Sequence, residues 1–174
     1  TMLVTLCLAG TMQAQSTLTV HDGEATSQYI PFDGYNADHA QHNQMIYPAS
    51  DLSAMNGMEI TQMVFYFNGS YGTSYSSEVE TGRLGTWTVS LGETTASTLT
   101  ELNASTTLSQ VYQGIMTWDH TALTLTITFE NGYVYNGGNL LIDFVHTAAS
   151  WSRYYFIGEG TSNKLPRFDS MDNI

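Results

Sequence analysis

Basic residues are scarce in this sequence. The 174 residues include four Lys and Arg against 16 Asp and Glu, so the formal net charge is −12 at pH 7. A surface with this charge repels the phosphates of nucleic acids and the anionic head groups of lipids. We therefore expect no nucleic acid and no membrane surface as a partner. Divalent cations, cationic partners and neutral glycans are compatible with this negative charge.

Cysteine is scarcer still, and Cys7 is the single example. It lies in the apolar run Met2–Gly10, which is too short to span a bilayer because a transmembrane helix needs about 20 apolar residues. Such a run is typical of the hydrophobic core of a secretory signal peptide. We expect residues 1–15 to be a partial signal peptide, cleaved near Ala14. The alternative is a first buried strand.

Removal of this segment would leave a chain without cysteine over residues 16–174. That chain has no disulfide, no thiol nucleophile and no Cys-based metal site, so its core alone must hold the fold. Its length predicts a single domain with a substantial core. We expect a secreted or cell-surface module, without membrane insertion after signal removal.

Apolar residues alternate with threonine and serine in several stretches, which is typical of half-buried strands. The stretch Leu123–Phe129 (LTLTITF) alternates throughout, and Trp87–Leu91 repeats the pattern. The residues of the first stretch expected to face inward are Leu123, Leu125, Ile127 and Phe129. Further β-rich runs are Met63–Phe67, Val111–Ile115, Leu140–Val145 and Tyr154–Ile157.

One stretch, Ala49–Met58, suggests a helix, a single turn that Gly57 would end. Short strands with frequent turn signals are typical of sandwiches and barrels. The sequence therefore predicts an all-β, jelly-roll-like antiparallel β-sandwich with at most one short helix.

The segment Asn131–Phe144 (NGYVYNGGNLLIDF) contains two glycines between asparagines. Glycine and asparagine adopt positive φ at little cost, so Glu130–Gly132 and Asn136–Asn139 are predicted as turns. A phosphate-binding glycine loop would need a helix after the glycines. Instead the run Leu140–Phe144 follows, apolar on both faces as in a covered central strand. The glycines are therefore predicted to be structural.

Four segments resemble a known module when they are read in order. They are Tyr29–Met55 (YIPFDGYNADHAQHNQMIYPASDLSAM), Val111–Gly114 (VYQG), Ile127–Phe144 (ITFENGYVYNGGNLLIDF) and Tyr154–Glu159 (YYFIGE). Together they resemble a recurring N-terminal β-sandwich module of secreted and surface Bacteroidales proteins, similar to the jelly-roll adhesin domains beside gingipain-type proteases. The resemblance covers most of residues 17–160. It implies a jelly-roll fold and an adhesin-like role, and it carries over no catalytic residue. The tail Lys164–Phe168 (KLPRF) is similar to a closing segment of the module, which implies that the chain stops just short of the final strand or linker.

Acidic and histidine side chains offer two metal hypotheses. Calcium binds hard oxygen ligands in irregular geometry. The candidate ligands for a structural calcium ion are Asp22, Asp33, Asp38 and Asp51. Zinc is the weaker hypothesis, because His39 and His42 are three residues apart but no cysteine or HExxH motif accompanies them. In the simplest interpretation, both sets are polar loop residues.

Sequence features for catalysis are few. There is no G-x-S-x-G nucleophile motif, and the mature chain would have no thiol. Asp119, Asp143 and Glu159 would form a carboxylate pair only if the fold brought them together. Asp143 lies between two apolar residues and is expected on the opposite face from them, solvated or paired with arginine. The sequence therefore predicts no enzymatic activity.

Aromatic residues exceed what a core of this size requires, with 11 tyrosines and three tryptophans. Tyr71 and Tyr75 lie in a Gly- and Ser-rich stretch, a mixture typical of binding loops. Trp118 and Trp151 border predicted turns. Since aromatic rings stack on the apolar faces of sugars, these four residues are the candidate ligand-binding set. In the alternative interpretation, Trp87 and Trp151 belong to the core and the tyrosines cover the sheet.

These observations favour a non-catalytic adhesion or recognition module of a larger secreted or cell-surface protein. Its expected partners are a glycan or a host or bacterial surface protein, together with further domains of the same chain. Two alternatives stay open. One is a glycan-binding module that uses exposed aromatic residues, and the other is an accessory domain of a secreted peptidase or hydrolase.

Overall fold

The computed structural model describes residues 16–20, 25–27, 40–70, 79–146, 154–158 and 167–171. Over these residues the chain is all-β, as its alternating sequence predicts. The strands are β1 (Ala25–Ser27), β2 (Gln41–Tyr47), β3 (Glu59–Ser70), β4 (Val79–Thr94), β5 (Ser109–Asp119), β6 (Thr124–Val134), β7 (Asn139–His146), β8 (Tyr154–Gly158) and β9 (Arg167–Met171). Every β-rich run predicted from the sequence falls within one of these strands, except that Leu123 of the run Leu123–Phe129 precedes β6.

All strand pairs are antiparallel, and the strand order is β1-β8-β3-β6-β5-β4-β7-β2-β9. The pairs β4–β5, β3–β6, β2–β7 and β1–β8 are nested one outside the other, which is the connectivity of a jelly roll. Strands β5 and β6 are paired only at the three positions next to their turn. They diverge beyond it, so the sheet divides into two layers. The predicted jelly-roll-like sandwich is confirmed.

The two layers enclose one apolar core. Phe65 of β3 meets Phe144 of β7 edge to face across the layers, with ring centroids 6.0 Å apart. Nine large side chains are almost fully buried: Met45, Ile46, Phe67, Trp87, Leu91, Trp118, Leu125, Tyr135 and Phe144. Burying a large apolar side chain contributes about 1.5–3 kcal/mol, so the core stabilises the fold without a disulfide among the described residues.

Strand β7 is covered on both faces, as its apolar run predicts. It lies between β4 and β2, and the residues from Leu140 to Phe144 are all buried. The outer face is covered by the connection between β4 and β5, residues 95–108. This connection comes so close that a Cβ on Gly92 would lie 2.5 Å from the Thr107 carbonyl oxygen, and glycine at this position is what permits the approach.

The predicted single helical turn is present as a 3-10 turn at Ser53–Met55. Gly57 ends it with a φ of 77°, a conformation that favours glycine. The Gly57 N–H donates to the Tyr135 carbonyl at 2.7 Å, and the Tyr135 N–H donates to the Met58 carbonyl at 3.0 Å. These bonds join the β2–β3 connection to the end of β6.

Two local predictions are wrong. Leu123 does not face inward, because it lies in the β5–β6 turn with a φ of 56° and is 37% exposed. Leu125, Ile127 and Phe129 do face inward, as predicted. Residues 130–132 do not form a turn either. Strand β6 continues to Val134, and the shift in its register with β3 shows that these residues form a bulge.

Candidate functional site

The strand order brings the connections together at two opposite ends. Gln41 is in register with His146, Ser70 with Tyr154, and Val79 with Asp119. The connections β1–β2, β3–β4, β5–β6 and β7–β8 therefore all start and finish at one end, which we call the upper end. The connections β2–β3, β4–β5 and β6–β7 join the strands at the lower end.

Most of the predicted ligand and metal residues lie outside the described residues. This applies to the aromatic candidates Tyr71, Tyr75 and Trp151, to the calcium candidates Asp22, Asp33 and Asp38, and to His39 and Glu159. In the chain, Tyr71 and Tyr75 belong to the β3–β4 connection and Trp151 to the β7–β8 connection. These two connections join strand ends at the upper end.

Trp118 does not meet the prediction of an exposed ligand-binding ring. It is fully buried and packs edge to face on Phe67, with ring centroids 5.6 Å apart. The His120 ring also packs edge to face on Phe67, with ring centroids 5.6 Å apart. Trp118 lies on the inner face of β5, so it supports the upper end from within. Trp87 is also fully buried, as its core interpretation predicts.

Of the four calcium candidates, Asp51 lies among the described residues. This residue follows β2 at the lower end, and its Oδ1 accepts a hydrogen bond from the Ser50 hydroxyl at 3.0 Å. In the part of the chain that the structure describes, no three His, Cys, Asp or Glu side chains come together in a way that could hold a metal ion.

The possible carboxylate pair of Asp119 and Asp143 is excluded by the register. Asp119 ends β5, and its Oδ1 accepts the N–H groups of Thr121 and Ala122 at 2.9 and 2.8 Å. Asp143 is aligned through β4 with Gln110 at the other end of β5. Along β5, Asp119 is nine residues from Gln110, a distance of about 30 Å. The two carboxylates cannot act on one bond.

Asp143 forms a buried polar network rather than the solvated position that the sequence suggested. Its Oδ1 lies 2.7 Å from His42 Nε2 and accepts a hydrogen bond from Gln44 Nε2 at 2.6 Å. Gln44 Oε1 in turn accepts the Asn103 N–H at 2.6 Å. Asp143 does face away from the apolar neighbours, as predicted, but residues 95–108 cover that face. The network therefore attaches the β4–β5 connection to the sheet.

This network has the imidazole and carboxylate of a catalytic dyad, and the register places Ser170 of β9 opposite His42. Ser90 is opposite Asp143 on β4. Since β4 and β2 flank β7, Ser90 is two strand spacings from His42, about 10 Å. A hydroxyl at that separation cannot transfer its proton to the imidazole. Ser90 is therefore not a nucleophile for the pair of His42 and Asp143.

A second polar group lies on the inner face of β2 and β7, close to the upper end. Gln41, Asn43 and His146 are buried there, and Asn43 Nδ2 donates to Gln41 Oε1 at 3.1 Å. The His146 ring stacks on Trp87 with centroids 4.2 Å apart. Sequence reasoning missed this group, although the polar run Gln41–Gln44 inside a strand is a signal that both faces of β2 are covered.

The asparagine–glycine segment is fastened to Glu93 at the lower end. The Asn136 N–H donates to Glu93 Oε1 at 2.8 Å, and the Gly138 N–H donates to Glu93 Oε2 at 2.6 Å. Gly137 has a φ of 99°. Partial burial raises the pKa of the Glu93 carboxyl, but the hydrogen bonds from Asn136, Gly138 and Tyr133 outweigh it and hold the pKa below its usual range. The predicted structural role of these glycines agrees with this geometry.

No protein-family model, curated protein or solved structure matches this chain. The resemblance to a Bacteroidales adhesin-like module therefore stays a hypothesis. Among the described residues, none of the helical structure is long and apolar enough to cross a membrane.

Proposed function

We propose that this chain is a non-catalytic recognition module of a larger secreted or cell-surface bacterial protein. The observation that carries the proposal is the arrangement of the connections. A jelly roll collects four of them at the upper end, and a rigid β scaffold that presents adjacent connections is a common basis for binding. The resemblance to adhesin-like modules favours the same class of function.

The two ends differ in a way that supports this assignment. At the lower end, the connections are fastened by hydrogen bonds that Glu93 accepts and that Gly57 and Asn139 donate. The connections of the upper end carry the Tyr-, Ser- and Gly-rich stretch with Tyr71 and Tyr75. Such a composition gives large contact area and adaptable hydrogen bonding at low cost in conformational entropy.

The ligand class is a glycan or a surface protein, and one binding experiment separates them. The purified chain is labelled and applied to a glycan array and to immobilised collagen and fibronectin. We expect saturable binding to one of these sets that falls at least tenfold in a Tyr71→Ala, Tyr75→Ala double variant. Met58→Ala removes an exposed side chain at the lower end and serves as the matched control.

Three outcomes would contradict the proposal. Absence of binding to every probe would remove the recognition function. Equal loss of binding in the Met58→Ala control would place the site elsewhere. Release of sugar fragments from a bound glycan by the wild-type chain would show catalysis, which the proposal denies.

A further inference from the structure

The outer face of β3, β6 and β5 carries a patch of side chains without charge. Alternate residues on these strands point away from the core, and on β6 the first three of them are threonines, followed by Glu130. We call the patch the threonine face and define it by Val64, Tyr66, Thr117, Thr124, Thr126 and Thr128. All six side chains are exposed or partly exposed.

The register places these side chains in adjacent rows. Thr126 is opposite Val64 on one side and Thr117 on the other, and Thr124 is opposite Tyr66. Neighbouring strands are about 4.8 Å apart, and alternate residues of one strand about 6.7 Å. The methyl and hydroxyl groups therefore form a regular, open surface. Tyr66 stands at its upper edge and is 54% exposed.

Hydrogen-bonding groups continue along the face. Gln62 Nε2 donates to Thr128 Oγ1 at 2.9 Å, so this hydroxyl keeps its proton available for an external acceptor. Thr124 and Thr126 present further hydroxyls, each of which donates one hydrogen bond and accepts others. The face thus combines one large ring with a row of neutral donors and acceptors.

The absence of charge on this face is notable in a molecule with a formal net charge of −12. Among the side chains that the structure describes around it, the charged ones stand at its borders, with Asp119 beyond Thr117 and Glu130 beyond Thr128. The Asp119 Oδ1 atom already accepts two N–H groups of the β5–β6 turn. An anionic partner would find no basic side chain among these six residues and would meet acidic groups at the borders, so the electrostatics disfavour an anionic ligand.

A protein partner fits this surface poorly. The cores of protein interfaces are enriched in aromatic and large apolar anchors, and threonine is under-represented among the residues that contribute most binding energy. Here Tyr66 is the one aromatic ring of the face, with Ile115 exposed nearby on β5. A neutral sugar chain fits this face better. The apolar C–H surface of a sugar can pack on the Tyr66 ring, and the sugar hydroxyls can hydrogen-bond the threonine hydroxyls.

We propose that the threonine face binds a neutral polysaccharide chain. Tyr66 is the ring on which one sugar packs, and Thr124 and Thr126 hydrogen-bond the neighbouring units. The inference rests on the proposed recognition function and extends it, because it assigns a ligand class to a surface outside the upper-end connections.

Affinity electrophoresis of the full chain tests the proposal. The gels contain hydroxyethyl cellulose, laminarin or arabinoxylan, with anionic alginate as the charged comparison. We expect retardation by at least one neutral polymer and none by alginate. Tyr66→Ala should weaken the association at least tenfold, whereas Tyr66→Phe, which keeps the ring, should stay within threefold of the wild type. Val134→Ala removes a side chain that is also 54% exposed, at the far end of β6, and should change nothing.

A charge pair at Thr126 tests the neutrality of the ligand. Thr126→Glu and Thr126→Lys should both weaken binding, because each places a bulky charge where a neutral chain lies. Weaker binding by one of these variants and tighter binding by the other would show a charged partner and overturn the proposal. The melting temperatures of all variants are compared with the wild type, so that loss of fold is not taken for loss of binding.

The remaining outcomes separate this inference from the proposed function. No retardation by any neutral polymer would overturn the inference. So would a concentration-dependent dimer, seen by sedimentation velocity, that Tyr66→Ala abolishes, since a second copy would then cover the face. Polysaccharide binding that is lost in the Tyr71→Ala, Tyr75→Ala variant but kept in Tyr66→Ala would refute the threonine face and leave the proposed function intact.

Discussion

Glu93 joins parts of the chain that are more than 40 residues apart. Its two carboxylate oxygens accept the backbone N–H groups of Asn136 and Gly138. A carboxylate suits this position because both partners are donors, and hydrogen bonds to an ionised group are stronger than neutral ones. The pKa of Glu93 is lowered in the folded chain, so the ionised form is linked to stability.

We expect Glu93→Gln to destabilise the protein at neutral pH and to lose this effect in acid. A folded-state pKa below the unfolded value gives stability that is complete above the unfolded pKa, near 4.3 for glutamate, and that disappears as the pH falls through the folded pKa. At pH 7 the amide group would place an N–H donor against a donor. The expected cost is on the order of 1 kcal/mol after solvent screening, or about 2–4 °C in melting temperature.

Melting curves between pH 3 and pH 7 measure this effect. Glu101→Gln removes the same charge from an exposed position of residues 95–108 and should leave the wild-type pH profile nearly unchanged. A constant difference between Glu93→Gln and wild type across the whole pH range would show that shape, not ionisation, is what matters at this position.

Single residues also show where sequence reasoning succeeds and where it stops. Alternation predicts the inward face of Trp87–Leu91 and of β6 from Leu125 onward, because strand geometry fixes which side chains share a face. It does not tell what lies over the other face. Asp143 is buried by a connection about 40 residues away in sequence, and Trp118 is buried against Phe67 of β3, 51 residues before it. Both depend on tertiary packing, which no local pattern contains.

At the scale of elements, turn signals identify irregular backbone without fixing its kind. The Glu-Asn-Gly sequence at residues 130–132 reads as a turn, but the strand continues through it as a bulge. The Asn-Gly-Gly-Asn segment is a true turn, because β7 must run back beside β4. Both irregularities occur where β6 approaches the β2–β3 connection. The sequence therefore predicts where the backbone is irregular, but it does not predict the geometry of the irregularity.

Gly137 gives the β6–β7 connection its shape, and we expect Gly137→Ala to weaken the fold. Its φ of 99° is costly for any residue with a Cβ, and that Cβ would lie 3.1 Å from Asn56 Oδ1. Strained backbone of this kind costs about 1–3 kcal/mol. Thermal or urea unfolding should show this loss, with no selective loss of ligand binding.

Gly57→Ala is the matched control for this variant. Gly57 also has a positive φ, of 77°, but no atom lies within 4 Å of its missing Cβ. It should lose stability through backbone strain alone, and therefore less than Gly137→Ala. If Gly137→Ala unfolds like the wild type yet fails to bind ligand, the segment belongs to a binding site and its structural assignment is wrong.

On the scale of the whole molecule, the jelly roll manages its exposed sheet edges with short strands. The two outermost strands are β1, with three residues, and β9, with five. Short edge strands offer few unpaired N–H and C=O groups to another chain. The longer strand β2 is not an edge strand, because β9 pairs with it from Gln41 to Met45. Its other side pairs with β7 over seven positions.

We therefore expect removal of residues 167–174 to make the protein self-associate. Without β9, strand β2 becomes an edge, and its backbone groups lose their partners on that side. The buried side chains of Gln41, Asn43 and Met45 lie on the strand that would be uncovered. Sedimentation velocity should show association that increases with concentration, and the melting temperature should fall. Removal of residues 172–174 alone leaves β9 in place and should preserve the wild-type behaviour. A truncated chain that stays monomeric, with an unchanged melting temperature, would mean that the eight strands of the nested jelly roll protect the β2 edge without β9.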